Sequence, residues 1–226
     1  MKISNYHKIK GDNVKLITSY KDILEISSIF DRIYLSKVFT TTEVPEWVLE
    51  LDNVEIGGTG FYYDKAKPLP YEIEHTKPDY DLYISWVNDK INNGEKRKNF
   101  EYFLDYSIGF MTRGCIRQCS FCVNKNSQEC IKHSSVYEFL EENKPYICLL
   151  DDNIFACKEW KNIFEELIQT KKRFQFKQGC DERLLTLEKC DYLFNKAKWI
   201  GDRIFAFDNI KDKHTIIKKL EMIREI

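Results

Sequence analysis

The chain has 226 residues, 43% of them hydrophobic, with 35 lysines and arginines against 36 aspartates and glutamates for a net charge of −1. That length holds one large or two small domains with a substantial core. The balance of charge gives no field favouring nucleic acid or an anionic membrane surface, and no apolar run approaches a membrane span. The opening MKISNYHKIKGDNV lacks the continuous apolar stretch of a signal peptide, so the expected location is cytoplasmic. Thiols stay reduced there, which assigns the eight cysteines to metal or buried positions rather than disulfides.

The first hundred residues read as one α/β module, residues 1–100. A helix is expected over Lys2 to Lys10, with strands at Val14 to Ile17, Arg32 to Val38 and Val54 to Ile56. Gly57-Gly58-Thr59-Gly60 ends the last strand, and Pro68, Pro70 and Pro78 punctuate a connector. The polar run Asn88 to Asn99 reads as an exposed excursion at the boundary. His7 and His75 read as lone surface histidines.

Residues 101–226 alternate short apolar runs with helical periods. The runs are Tyr106 to Phe110, Tyr146 to Leu150, Phe174 to Phe176 and Ile204 to Phe207, spaced like βα units. Ser135 and Glu138 form a capping box that predicts a helix to Asn143. Trp160, Ile163, Phe164, Leu167 and Ile168 share one helical face. Thr186 caps a helix carrying Leu187, Cys190, Leu193, Phe194 and Ala197, and a last helix from His214 puts Ile216, Ile217, Leu220 and Ile223 on one side. Strand alternating with helix predicts a parallel sheet with right-handed crossovers.

The stretch GFMTRGCIRQCSFCVN carries Cys115, Cys119 and Cys122 in C-x3-C-x2-C spacing. Three thiolates are one short of the four ligands of an ordinary iron–sulfur cluster or structural zinc. The triplet follows the first apolar run, with Thr112-Arg113-Gly114 expected as a turn, so it occupies a loop leaving a strand's C-terminal end, where α/β folds collect their functional groups. The alternative is a zinc knot closed by Cys130 or His133, although the gaps do not match paired C-x2-C knuckles. Cys148, Cys157 and Cys190 sit in apolar contexts and read as core. Cys130 and Cys180 pair into no second cluster, and Arg113 and Arg117 either offset cluster charge or are solvated.

The spacing, with the aromatic Phe121 just before the last cysteine, resembles the radical S-adenosylmethionine (radical SAM) superfamily. The phrases GGTGF, LPYEIE and PDYDLY resemble the upstream part of members with a cobalamin-binding-like N-terminal domain. The resemblance implies a [4Fe-4S] cluster on Cys115, Cys119 and Cys122 with one iron open to SAM. It also implies one-electron cleavage of SAM to a 5′-deoxyadenosyl radical, hydrogen abstraction from an unidentified substrate, and an electron donor of flavodoxin or ferredoxin type. Such proteins usually place a Gly-Gly-Glu-like motif after the second strand to hold the SAM amino group. Asp151-Asp152-Asn153 stands there, either as an acidic variant of that motif or as a helix cap. After the third strand, Gly179 allows close backbone approach to a ligand, Gln178 and Asp181 are polar neighbours, and Arg183 either forks onto the SAM carboxylate or pairs with Asp181. Phe207-Asp208 closes the fourth run in the same way.

The expected fold is therefore α/β: a partial (β/α) radical SAM barrel over residues 101–226, preceded by a reduced Rossmann-like three-layer domain over residues 1–100. Family barrels usually have six βα units and four are read here, which leaves three readings: a shortened open reading frame, a protein partner completing the barrel, or impaired catalysis. The cobalamin-binding-like domain would also open with a strand before the Lys2–Lys10 helix, and none is read. The D-x-H-x-x-G loop of cobalamin binders is not matched, with Asn5 in place of the aspartate and Lys10 three residues after His7, so no cobalamin held by a protein histidine is expected. No cysteine precedes the triplet, against methylthiotransferases with an N-terminal auxiliary cluster. The rival reading is a non-catalytic iron–sulfur or zinc-binding scaffold.

Overall fold

The computed structural model describes residues 1–225 as a mixed α/β fold with two parallel sheets. The first half contributes α1 (Lys2–Ile9), α2 (Tyr20–Ile26), β1 (Ile33–Ser36), α3 (Glu46–Leu49), β2 (Val54–Gly57) and α4 (Thr59–Tyr62). Strands β1 and β2 pair in parallel, Ile33 opposite Val54 and Ser36 opposite Gly57. The expected strand at Val14–Ile17 is not formed, and this half of the chain holds a two-stranded sheet with short helices in place of the expected three-layer arrangement. Apolar alternation marks a half-buried surface but supplies no ladder partner, and without one the segment stays irregular.

The connector continues through α5 (Tyr71–Glu74), α6 (Ile84–Asn92) and α7 (Glu101–Leu104). The polar run expected as an excursion is largely helical. Val87 in α6 is fully buried, and Trp86 packs edge-on to Phe100 and Phe103, so one apolar face fixes a helix whose other faces are charged. Tyr80 stitches this segment to the rest: its hydroxyl donates to Phe139 O at 2.6 Å and accepts from Ile108 N at 2.9 Å.

The main sheet has order β3 (Tyr106–Gly109), β6 (Tyr146–Leu149), β7 (Arg173–Phe176), all parallel, with β6 in the centre. Between β3 and β6 a small antiparallel pair, β4 (Thr112–Arg113) and β5 (Ile131–Lys132), replaces the expected turn. The next helix, α8 (Trp160–Gln169), lays Ile163, Phe164 and Leu167 into the core against Ile147, Leu149, Phe174 and Phe176. The chain closes with α9 (Leu187–Cys190), which Thr186 caps and a π-helical turn Asp191–Lys196 extends, and with α10 (Lys213–Arg224). In α10 only Ile216 is buried, while Ile217 and Leu220 are 42% and 44% exposed, so its apolar side is only partly used.

Two further expectations change. The Ser135–Glu138 capping box is present but opens a 3-10 turn, Val136–Glu138, rather than a helix to Asn143, because Phe139 and Leu140 turn into the core there. The run Ile204–Phe207 is not a regular strand. It runs beside β7 through two isolated parallel bridges, Phe174 with Trp199 and Cys180 with Phe205. Gly179 and Gly201 break the ladder between them with positive φ, and Ile204 and Phe207 are left more than half exposed. Among the described residues the strands form an open sheet, not a closed barrel.

The strand beginnings are tied down by lysines. Lys144 Nζ donates to Phe103 O at 2.7 Å and Leu104 O at 2.8 Å, ahead of β3, and Lys172 Nζ donates to Glu141 O, Glu142 O and Lys144 O, ahead of β6. Gly109, at the end of β3, has no room for a side chain, since a Cβ there would overlap the Phe139 ring. Gly109→Ala should therefore destabilise the fold by about 1–3 kcal/mol. Urea unfolding measures this, with Phe139→Leu in the same chain expected to recover part of the loss.

Candidate functional site

Cys115, Cys119 and Cys122 lie on the loop joining β4 to β5. The pairing of those strands closes the loop's base, where Gly114 has φ +86 and a Cβ would meet Glu129 O and Ser127 Oγ. Ser127 Oγ accepts from Cys115 N at 3.2 Å and donates to Glu129 O at 2.9 Å. A turn from Cys119 O to Cys122 N, 3.0 Å, brings the second and third cysteines to one side. All three are half-buried, whereas Cys130, Cys148, Cys157, Cys180 and Cys190 are buried, so only the triplet is within reach of a group from outside.

Two of the three sulfurs already receive donors. Arg117 N lies 3.3 Å from Cys115 Sγ and Asn124 N 3.4 Å from Cys122 Sγ. Asn153 Nδ2 lies 3.4 Å from Cys115 Sγ. Burial, then the charge of Asp208, raises the Cys119 thiol above its ordinary value. Among the described residues no three His, Cys, Asp or Glu side chains converge on a single ion. A cubane does not require such convergence, because each thiolate takes its own iron. Soft thiolates on a short loop, with N–H groups aimed at them, are the donor chemistry such a cluster uses.

The residues after β6 take separate tasks. Asp151 is 2% exposed, and its carboxylate accepts from Met111 N at 3.1 Å, Thr112 N at 2.5 Å and Thr112 Oγ1 at 2.6 Å. Its acceptor capacity is thus spent on the turn between β3 and β4. Asp152 is half-buried and accepts from Asn124 Nδ2 at 2.8 Å, two residues past Cys122. Asn153 is 4% exposed, and its Oδ1 has no donor among the described residues.

After β7, Asp181 is the hub. It is 6% exposed and accepts from Arg183 Nε at 2.6 Å, Arg117 Nε at 2.8 Å and Asn153 Nδ2 at 3.5 Å. Burial alone would raise its carboxyl, but the two arginines hold it below the ordinary value. Arg183 also pairs with Asp212, so of its two readings the structure has the pair with Asp181, not a free fork. Gly179 does permit a close approach, but to Ile204 O of the chain itself. Gln178 is exposed, and Phe121 is 67% exposed with its carbonyl accepting from Tyr63 Oη at 3.2 Å.

Two features escaped the sequence reading. Glu182 is 1% exposed with neither carboxylate oxygen partnered, and burial raises its pKa. One acidic residue in an acidic stretch carries no signal of that. His75, expected on the surface, is half-buried and stacks on His133 at 5.0 Å, with His75 Nδ1 2.6 Å from Glu138 and Glu74 taken by Arg113 at 2.7 Å. This group joins α5 to the β4–β5 pair, and Cys130 is buried in the core.

No family model matches the chain, and neither the curated proteins nor the solved structures compared with it give a match. Among the described residues no helix is long and apolar enough to cross a membrane.

Burial lifts the Asp151 carboxyl from 3.8 to about 6. A raised folded-state pKa means the carboxylic acid favours the fold below the unfolded value, and that contribution disappears as pH rises through the folded one. Wild-type stability relative to Asp151→Asn should therefore fall between pH 4 and about pH 6, as chemical denaturation at each pH would measure.

Proposed function

We propose that the chain is a radical SAM protein, with Cys115, Cys119 and Cys122 as ligands of a [4Fe-4S] cluster and residues 101–226 as part of a (β/α) barrel. The observation that carries the reading is the segregation of the cysteines. Three half-buried thiols share one loop at the C-terminal side of a parallel sheet, and five others are buried in the interior. When bound, the cluster and SAM supply one-electron cleavage of the sulfonium, which starts hydrogen abstraction from a substrate whose class the chain does not reveal.

The chain's own residues divide the remaining work. Asp151 fixes where the cysteine loop departs, through Met111 and Thr112. Asp152 holds the loop's return through Asn124. Asn153 Oδ1 is a buried acceptor without a protein donor, suited to the SAM amino group, since an orphaned buried acceptor costs about 1–3 kcal/mol unless something donates to it. Gln178 and Phe121 are exposed beside these elements and available to a nucleotide. Arg183 acts through Asp181 rather than on SAM. The electron comes from a flavodoxin- or ferredoxin-type donor. No cobalamin is proposed.

Anaerobic reconstitution should give about four irons per chain and broad absorption near 400 nm. Dithionite and SAM should then yield 5′-deoxyadenosine. Cys115→Ala, Cys119→Ala and Cys122→Ala should each abolish both, while Cys148→Ala keeps them. Stoichiometric colourless zinc in place of iron would overturn the proposal in favour of a zinc-binding scaffold, and iron without SAM cleavage would leave a non-catalytic iron–sulfur protein.

A further inference from the structure

We infer that Asn153 is a positioning residue that sets the electron affinity of the cluster through its N–H to Cys115 Sγ. The inference rests on the cluster reading above. Asn153 Nδ2 lies between two acceptors, Cys115 Sγ at 3.4 Å and Asp181 Oδ2 at 3.5 Å. Because both neighbours accept and neither donates, the amide must turn its NH2 toward them and its Oδ1 away, which accounts for the orphaned oxygen. Asp181 is fixed in turn by Arg117 at 2.8 Å and Arg183 at 2.6 Å, and Arg117 lies two residues past Cys115 on the cysteine loop itself. The amide is therefore held by a closed circuit, Cys115–Asn153–Asp181–Arg117, and does not depend on packing alone.

Hydrogen bonds to cluster sulfurs tune reduction potential, because an N–H dipole stabilises the added electron more than the oxidised state. The contact at Cys115 differs from those at the other two thiols. Cys115 receives both a backbone N–H from Arg117 and this side-chain N–H, Cys122 receives a backbone N–H only, and Cys119 receives neither among the described residues. One corner of the site is thus set apart by a residue from a different strand end.

The test is an EPR-monitored redox titration of the reconstituted full chain without SAM. Asn153→Leu keeps the branched shape, removes the donor and removes the unpaired oxygen. It should lower the reduced-to-oxidised ratio about tenfold at a fixed poise, equivalent to 59 mV for a one-electron couple. Asn153→Ser, too short to reach the sulfur, should shift the same way and serves if the leucine variant fails to load iron. An unmoved potential in either variant at wild-type iron content overturns the inference and leaves the cluster reading intact. A wild-type chain that takes up no iron overturns both.

Discussion

The fold around the cysteines depends on one buried carboxylate. Asp151 ends the central strand and gathers the backbone N–H groups of Met111 and Thr112 together with the Thr112 hydroxyl. Those groups belong to the point where the chain leaves β3 and starts β4, so the interaction dictates the direction in which the cysteine loop sets out. Burial raises the cost of charge at this position, and the donors offset only part of it, so the carboxyl stays above its ordinary value. A neutral apolar residue would leave the Met111 and Thr112 amides unpaired in the interior. Strand β4 would then lose its fixed start, and the Arg113↔Ile131 pairing that closes the loop would lose its register.

A second carboxylate, Asp181, does for the far side of the loop what Asp151 does for its root. Pairing it with two arginines is not a large source of stability, since desolvating three charges offsets much of their attraction. What it provides is direction. Arg117 comes from the cysteine loop, Arg183 from the turn after β7, and Asn153 from the turn after β6, so one carboxylate ties three chain segments that are distant in sequence. Asp212, at the start of the last helix, joins through Arg183. Removing the charge of Asp181 would leave two guanidinium groups facing each other beside the thiols.

How much of this was readable from the residues alone follows from what kind of signal each part emits. Strands β3, β6 and β7 announce themselves because a parallel sheet covered on its faces needs continuous apolar runs, as Tyr146-Ile147-Cys148-Leu149 shows. Helix α8 is legible because Ile163, Phe164 and Leu167 repeat on one face. Val14–Ile17 and Ile204–Phe207 look the same in composition but differ in neighbours, and a strand is defined by its partner as much as by its side chains. The cysteine triplet stood out through local spacing. The Asp181–Arg183 pair was one of two local readings, but the bonds of Asp151 to Met111 and of Asp181 to Arg117 gave no signal, since each joins residues more than 30 positions apart. Charged residues at strand ends look alike in sequence whether they face a ligand or hold the backbone.

The two ends of the main sheet are built to different standards of completeness, and this is the strongest physical hint of where chemistry belongs. At the strand beginnings, the ammonium groups of Lys144 and Lys172 reach backbone carbonyls, so that end is satisfied by the chain itself. At the strand endings, the three buried side-chain atoms left without partners among the described residues are Asn153 Oδ1 and the two oxygens of Glu182. Native interiors rarely leave such atoms unpaired, and each one costs more than a typical hydrogen bond returns. Glu182 lessens its cost by favouring the protonated acid, the direction its burial imposes. Asn153 has no such recourse, because an amide cannot shed its polarity by titrating. Its amide nitrogen lies 3.4 Å from Cys115 Sγ, so the deficit falls at the end of the sheet where the half-buried thiols are, and a donor arriving with a ligand would remove it.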